Sequence, residues 1–407
     1  MRTQKGCGSV TICRILLGGI TCGLLALTAY DAPSELGRSQ AEKDWLALAL
    51  DHIYNLEFDQ ARPIIEGRVR EDPTDLCALN HLASLTLDEQ LLKEGLFAAE
   101  AYGNKGQAFR ERRVPVPAEV QAEILQALQR AQRVADERLK KNLADKDALY
   151  WGGVARATRA EFLFTLQGSN LAALREGLEA RRYHLKLYKA DPQYVDALLV
   201  IGLADYVAGS LPWYAKVLAS MSGIHGTRAQ GLEELRRVSQ EGHFARTDAK
   251  IVLVALYRRE KMYALALALL EELLQSYPRD ILGWLEMASL YEAQNNWAEA
   301  KRVYGRMVEQ LEAHEPRHEV MRASILYRAG RSREHLGESE EALALYEAAG
   351  KAPGSSVDVY RADLAAARLY ERLNHRQDAV RKYRRVAGAV PNTAEGRAAS
   401  RALQSLR

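Results

Sequence analysis

The sequence predicts an all-α solenoid of antiparallel helical hairpins, and three observations carry that prediction. Between Thr247 and Thr393 the chain repeats itself about every 34 to 42 residues. Within each repeat a large residue is followed nine positions later by a small one, and four later again by a second large one. Prolines then fall at the joints between repeats. Two antiparallel helices are too thin to bury their own apolar face, so a period of this length means stacked neighbours sharing a core.

The ruler is first laid on the C-terminal half. Tyr257, Ala266 and Leu270 are followed one 34-residue period later by Tyr291, Ala300 and Tyr304. Arg333, Ala342 and Tyr346 keep the spacing with arginine in the aromatic place, and Tyr370, Ala379 and Tyr383 keep it fully. Pro278 and Pro391 lie twelve residues after their alanines, Pro353 lies one short of that, and Glu312 stands at this place in the repeat beginning near Ile281. A small side chain lets two helices touch, the large one four residues on shares its face, and proline ends one helix or starts the next. Trp284, Met287, Ala288 and Tyr291, followed by Ala300 and Tyr304, fill the W-x2-L-G-x2-Y pattern with two conservative departures. This stretch resembles the tetratricopeptide repeat family. Lys250, Leu326 and Asp363 stand where Trp284 stands, so the resemblance speaks for the fold and not for a ligand.

The same ruler extends N-terminally. His52, Ala61 and Ile65 keep nine and four, with Pro73 at twelve, and Ala180 and Pro192 keep the twelve-residue interval. The apolar run Leu149 to Leu166 supplies a partner helix ending at the turn-rich Gln167-Gly168-Ser169-Asn170. Val195 to Val207 and Gln230 to Gln240 read as a further pair around an insertion, Gly209 to Gly226, that contains Leu211-Pro212-Trp213-Tyr214. Pro115 and Pro117 interrupt the pattern before one long amphipathic helix, Glu119 to Leu139. The organisation expected is a leader (1–32), irregular N-terminal repeats (40–145), long pairs with the insertion (146–246), four tetratricopeptide-like units (247–393) and a C-terminal basic helix (394–407). This combination is also similar to a group of bacterial envelope tetratricopeptide proteins, and distantly to helical-repeat proteins of the mitochondrial outer membrane.

Residues 1–29 contain no acid, and Arg2, Lys5 and Arg14 precede an apolar run from Ile15 to Tyr30. That is the order of an export signal, and at about 16 residues it is marginal for a membrane span, which needs about 20. A cleaved signal, a retained N-terminal anchor and a buried core helix all stay open; all three favour an interior N-terminus by the basic-flank rule, with the body outside the cytoplasmic membrane of a bacterium. Thr21 before Cys22 speaks against a lipoprotein. Three of the four cysteines lie in the leader, which leaves Cys77 alone in the body, in an apolar setting that suits packing. With 56 basic and 53 acidic residues the net charge is +3, matched by Arg2, Lys5 and Arg14 of residues 1–29 alone, so the near-neutral body gives no support to nucleic-acid binding.

No catalytic, cofactor-binding or metal-binding set is expected. His314-Glu315-Pro316-Arg317-His318 matches H-E-x-x-H, but Pro316 removes a backbone donor and breaks the helix on which two zinc ligands would sit one turn apart. Gly223 to Gly231 is glycine-rich ahead of a helix, yet lacks the preceding strand and the Gly-Lys-Ser/Thr ending of a phosphate loop. What remains is surface recognition. The resemblance implies a groove lined by the first helix of each pair in a right-handed superhelix, here at Arg258, Arg259, Arg331, Glu334, His335, Arg361, Arg368, Glu371 and Arg372. This face is basic toward its C-terminal half, as an acidic protein or peptide partner requires. The family's chaperone-tail clamp is missing, because Ala255, Ser289, Arg331 and Arg368 stand where its asparagine would be. The expected function is a non-enzymatic envelope scaffold. Its rival is a solute-binding component or enzyme with a pocket around Trp213, Tyr214 and His225.

Overall fold

A computed structural model describes residues 40–94, 116–211, 216, 226–312, 321–353 and 357–406. The leader, the central part of the insertion with Trp213, Tyr214 and His225, and the stretch holding His314 and His318 lie outside the described residues. Among the described residues there is no strand, and seventeen α-helices follow one another as hairpins. None of them is long and apolar enough to cross a membrane.

The chain divides into two compact units after Arg279. The first holds five hairpins: α1 (Gln40–Tyr54) with α2 (Phe58–Glu71), α3 (Leu76–Lys93) with α4 (Ala118–Lys141), α5 (Lys146–Thr165) with α6 (Asn170–Ala190), α7 (Leu198–Ser210) with α8 (Arg228–Glu241), and α9 (Arg246–Arg259) with α10 (Tyr263–Ser276). The second holds α11 (Ile281–Ala293) with α12 (Trp297–Glu312), α13 (Arg322–His335) with α14 (Ser339–Gly350), and α15 (Val357–Arg372) with α16 (Arg376–Ala389), closed by the single helix α17 (Ala394–Ser405).

The ruler of the sequence is a ruler of turns as well as of contacts. In five hairpins the residue four positions after the first large one adopts a left-handed conformation: Leu56, Lys261, Asn295, Gly337 and Asn374. The next N–H then bonds back to the carbonyl of the ruler residue itself, Glu57 to His52, Met262 to Tyr257, Asn296 to Tyr291, Glu338 to Arg333 and His375 to Tyr370, at 2.7 to 3.0 Å. This is the Schellman ending of a helix, which satisfies its last carbonyls while reversing the chain. The turn from one hairpin to the next has its own device. Asp75, Asp145, Asp280 and Thr393 each accept a backbone N–H of the helix they precede, namely α3, α5, α11 and α17.

Packing follows the same register. Ala61, Ala180, Ala266, Ala300, Ala342 and Ala379 all have no exposed surface, so every ruler alanine is a point where helices touch. Ile65, His184, Leu270, Tyr304, Tyr346 and Tyr383, one turn on, are buried with them. Tyr257 is buried too, whereas Tyr291, Tyr370 and Trp284 are half-buried, Trp284 under the Arg306 guanidinium 5.6 Å from its ring centre. Gly330 completes one contact: a Cβ there would meet the Tyr346 ring at 2.7 Å, so only glycine admits that tyrosine. Gly231, from the glycine-rich stretch, does the same between α7 and α8, where a side chain would strike the backbone of Gly202 and Tyr206.

The two units use their first helices differently. In the first unit fourteen residues of α3 and fourteen of α5 are buried, polar ones among them. Their interior is aromatic: His81 lies 5.7 Å from Trp151, and Tyr150 packs on Tyr194, His184 and Phe244 at 5.3 to 5.8 Å. It also holds groups that burial forces into their neutral forms. Desolvation lowers the His184 pKa to about 3 and raises that of Glu161 to about 8.

Ala300→Leu should overpack the α11–α12 contact and cost about 1 to 3 kcal/mol; a thermal melt unchanged from wild type would contradict the role given to the ruler alanines. Glu161 makes a second prediction. Its pKa in the folded chain lies above the 4.5 of a free glutamate, so between these values the folded state holds a proton that the unfolded state has lost. Stability therefore falls as pH rises from about 4.5 through about 8. Glu161→Gln should flatten that slope and raise the melting temperature at pH 8; an equal loss in both proteins across this range would show that the carboxyl is not buried.

Candidate functional site

In the second unit the first helices carry a repeated three-part arrangement. Each second-helix tyrosine donates its hydroxyl to a glutamate twelve residues earlier: Tyr304 to Glu292 Oε1 at 2.8 Å, Tyr346 to Glu334 Oε2 at 2.5 Å, and Tyr383 to Glu371 Oε2 at 2.8 Å. Burial, then the carboxylate beside it, raises the pKa of the Tyr346 and Tyr383 hydroxyls, so they act as donors throughout the physiological range. The following hairpin supplies a guanidinium. Arg331 Nη1 lies 3.6 Å from Glu292 Oε2, and Arg372 Nη2 donates to Glu334 Oε1. Each of these two rungs is thus tyrosine, glutamate and arginine from three different helices.

The third rung, Tyr383 with Glu371, takes no arginine among the described residues, and one guanidinium stands outside the rungs. Arg368 stands at the place that Arg331 holds one repeat earlier, but Arg372 has taken the Glu334 that it would meet. Arg368 is exposed, and among the described residues no carboxylate pairs with it. Around the rungs lie flat aromatic surfaces. His335 stacks on Trp297 with ring centres 3.7 Å apart and planes 7° from parallel. The Arg331 guanidinium stands 5.9 Å from the Trp297 ring and 6.0 Å from that of Tyr327. Arg361 is engaged by Asp358 at 3.0 Å and Glu395 at 3.1 Å.

Of the expected groove residues, Arg331, His335, Arg361, Arg368 and Arg372 thus share the first-helix side of the second unit. Arg258 and Arg259 close α9 in the first unit, where Arg259 lies 5.8 Å over the Tyr206 ring. The Tyr206 hydroxyl donates to Glu260 at 2.6 Å, and burial, more than that bond, pushes its pKa up to about 12. Sequence reasoning placed Glu334 and Glu371 on this face but gave them no role, and it passed over Glu292 and Trp297. The constant twelve-residue interval from glutamate to tyrosine was the readable signal. At the basic C-terminal end, Lys382 is buried rather than free, with Nζ 2.8 Å from Asp363 Oδ1 and 2.9 Å from Glu347 Oε2.

Two further places in the first unit can hold small groups. Asp51, His52 and Glu57 bring one ligand atom each within 4.8 Å of the others, but Arg279 already binds both carboxylates, at 2.7 and 2.8 Å. A cleft of about 390 Å³ is lined by Arg68, Asp72, Glu137, Arg138, Lys141 and Trp151 among others. Its arginines are engaged, Arg68 with Asp75 at 2.8 Å and Arg138 with Asp145 at 2.9 Å. Cys77 has no exposed surface.

Residues 257–324 match the family model described as tetratricopeptide repeat. No curated protein matches the chain. Among solved structures it is similar to yeast Tom70, at 13% identity over 89% of this chain and 88% of that one with a TM-score of 0.38. It is similar also to human IFIT1 bound to PPP-AAAA, at 14% identity over 89% and 80% with a TM-score of 0.39. A tetratricopeptide repeat protein from Parabacteroides merdae aligns at 14% identity over 79% and 96% with a TM-score of 0.30. Scores at this level transfer no ligand. The ruler, the hairpin turns and the matched stretch 257–324 agree that this chain carries tetratricopeptide-type repeats.

Proposed function

We propose that the chain is a non-enzymatic scaffold whose second unit binds an acidic segment of a protein or peptide on its first-helix face. The observation that carries this reading is Arg368. Arg331 and Arg372 are each neutralised by a rung glutamate, whereas Arg368, whose counterpart Glu334 is taken by Arg372, is left exposed on the same helix as Arg372. A guanidinium offers a planar fork of donors that fits a carboxylate. Export of the body is supported by the basic residues ahead of the apolar run 15–30.

Arg368→Glu should weaken binding of a glutamate-rich peptide about tenfold, the equivalent of about 1.4 kcal/mol, and leave the melt within about 0.5 kcal/mol of wild type. Binding to the native chain should fall with added salt, because exposed charges are screened over about 10 Å at 0.1 M. Equal affinity in both proteins would remove Arg368 from the site. For location, an alkaline phosphatase fused after residue 40 should be active, and a β-galactosidase fused there inactive; the reverse pattern would place the body in the cytoplasm.

A further inference from the structure

The inner helices of the first unit are shut in by a seam built from side chains far apart in sequence. Tyr54 donates to Asp248 Oδ1 at 2.8 Å across 194 residues, and its ring lies 4.7 Å from Tyr277. Arg279 donates from Nε to Glu57 Oε1 at 2.8 Å and from Nη2 to Asp51 Oδ2 at 2.7 Å, while its backbone N–H bonds Asn55 Oδ1 at 3.0 Å. His52 Nδ1 stands 2.7 Å from Glu57 Oε2, so one carboxylate is held from two sides. Hairpin α1–α2 is thereby tied to the far end of its own unit.

Behind the seam, α3 and α5 face each other with polar atoms that find no partner among the described residues. Asn80 Nδ2 donates to the Trp151 carbonyl at 3.2 Å, which sets the two helices side by side. Along the same face of α3, at four-residue spacing, Ser84 Oγ and Asp88 Oδ2 are buried without a partner. On α5 the same is true of Thr158 Oγ1 and of both carboxylate oxygens of Glu161. Burial raises the pKa of both Asp88 and Glu161, and at Asp88 the charges of Glu161 and Asp248 raise it further. Buried polar atoms are nearly always bonded, and those that are not would gain partners in water. Each unsatisfied oxygen therefore favours an opened seam, against the bonds of Tyr54 and Arg279 that favour a closed one.

We infer that Tyr54 and Arg279 form a clasp that autoinhibits the first unit, and that its release exposes an acceptor-lined surface on α3 and α5 for a lysine- or arginine-bearing segment. Carboxylates and hydroxyls line that surface, so the complementary ligand is donor-rich and positive. The inference stands apart from the acidic ligand of the second unit and does not depend on it.

Cys77, on α3 and fully buried, is a built-in reporter. In the full-length chain, modification of Cys77 by a maleimide is followed by peptide mass spectrometry, which reads it apart from Cys7, Cys13 and Cys22. Arg279→Glu sets a like charge against Asp51 and Glu57, and Tyr54→Phe removes the bond to Asp248. Each should raise the Cys77 rate at least tenfold without denaturant. Glu161→Gln in the Arg279→Glu chain should slow it again, because the carboxyl that favours opening is gone. Tetralysine should protect Cys77 in the opened chain and tetraglutamate should not. Unchanged rates in both clasp variants, or acceleration only at denaturant concentrations that melt the whole chain, would overturn the clasp. Equal protection by the two peptides, or none by either, would overturn the cationic ligand.

Discussion

The structure depends on one contact, a second-helix alanine with no exposed surface set against the first helix of its hairpin. Ala61, Ala266, Ala300, Ala342 and Ala379 hold this position in five hairpins. A hairpin brought this close still cannot cover its own apolar face, so the contact fixes the thickness of the unit and makes stacking obligatory. The left-handed turn serves the same end. With Leu56, Lys261, Asn295, Gly337 and Asn374 placed four residues after the ruler residue, every second helix returns at the same height, and the alanine nine residues on meets the same level of its partner. Three of these positions carry glycine or asparagine; Leu56 and Lys261 do not, and there the hairpin geometry has overridden residue preference.

Much of this was legible because it is local. Nine, four and twelve are intervals within one or two turns of helix and one loop, and the side chains that make them work are small, large or cyclic for reasons visible in a single repeat. The aspartates that cap α3, α5 and α11 could have been read in the same way. Tyr291 and Tyr370 were less predictable: they keep the ruler but are only half-buried, since burial of a first-helix aromatic depends on what the neighbouring hairpin offers. The rungs of the second unit lie between. Their glutamate-to-tyrosine interval is constant and local, while the arginine arrives from the next hairpin, from two different helical positions, and no interval announces it. The seam of the first unit left no sequence signal at all, because Tyr54 and Asp248 are joined across 194 residues by nothing but the accumulated rotation of the hairpins between them.

The same repeat therefore gives two chemically opposite inner surfaces. Where the first helix is buried all round, as in α3 and α5, the polar atoms it carries become costly passengers: an unsatisfied buried group costs about 1 to 3 kcal/mol. Where the first helix alternates small residues with arginine and glutamate, as in α13 and α15, its outer side is stable in water, and the charges can pair from hairpin to hairpin. An ion pair of that exposed kind contributes at most about 1 kcal/mol. Rungs built from such pairs can be exchanged for a partner's charges at little cost to the fold, as the recognition role proposed for the second unit requires. The first unit could take part in recognition only by giving up its seam, and Arg279, half-exposed with two carboxylates in its grip, is the place where a modest loss of interaction would decide between the two arrangements.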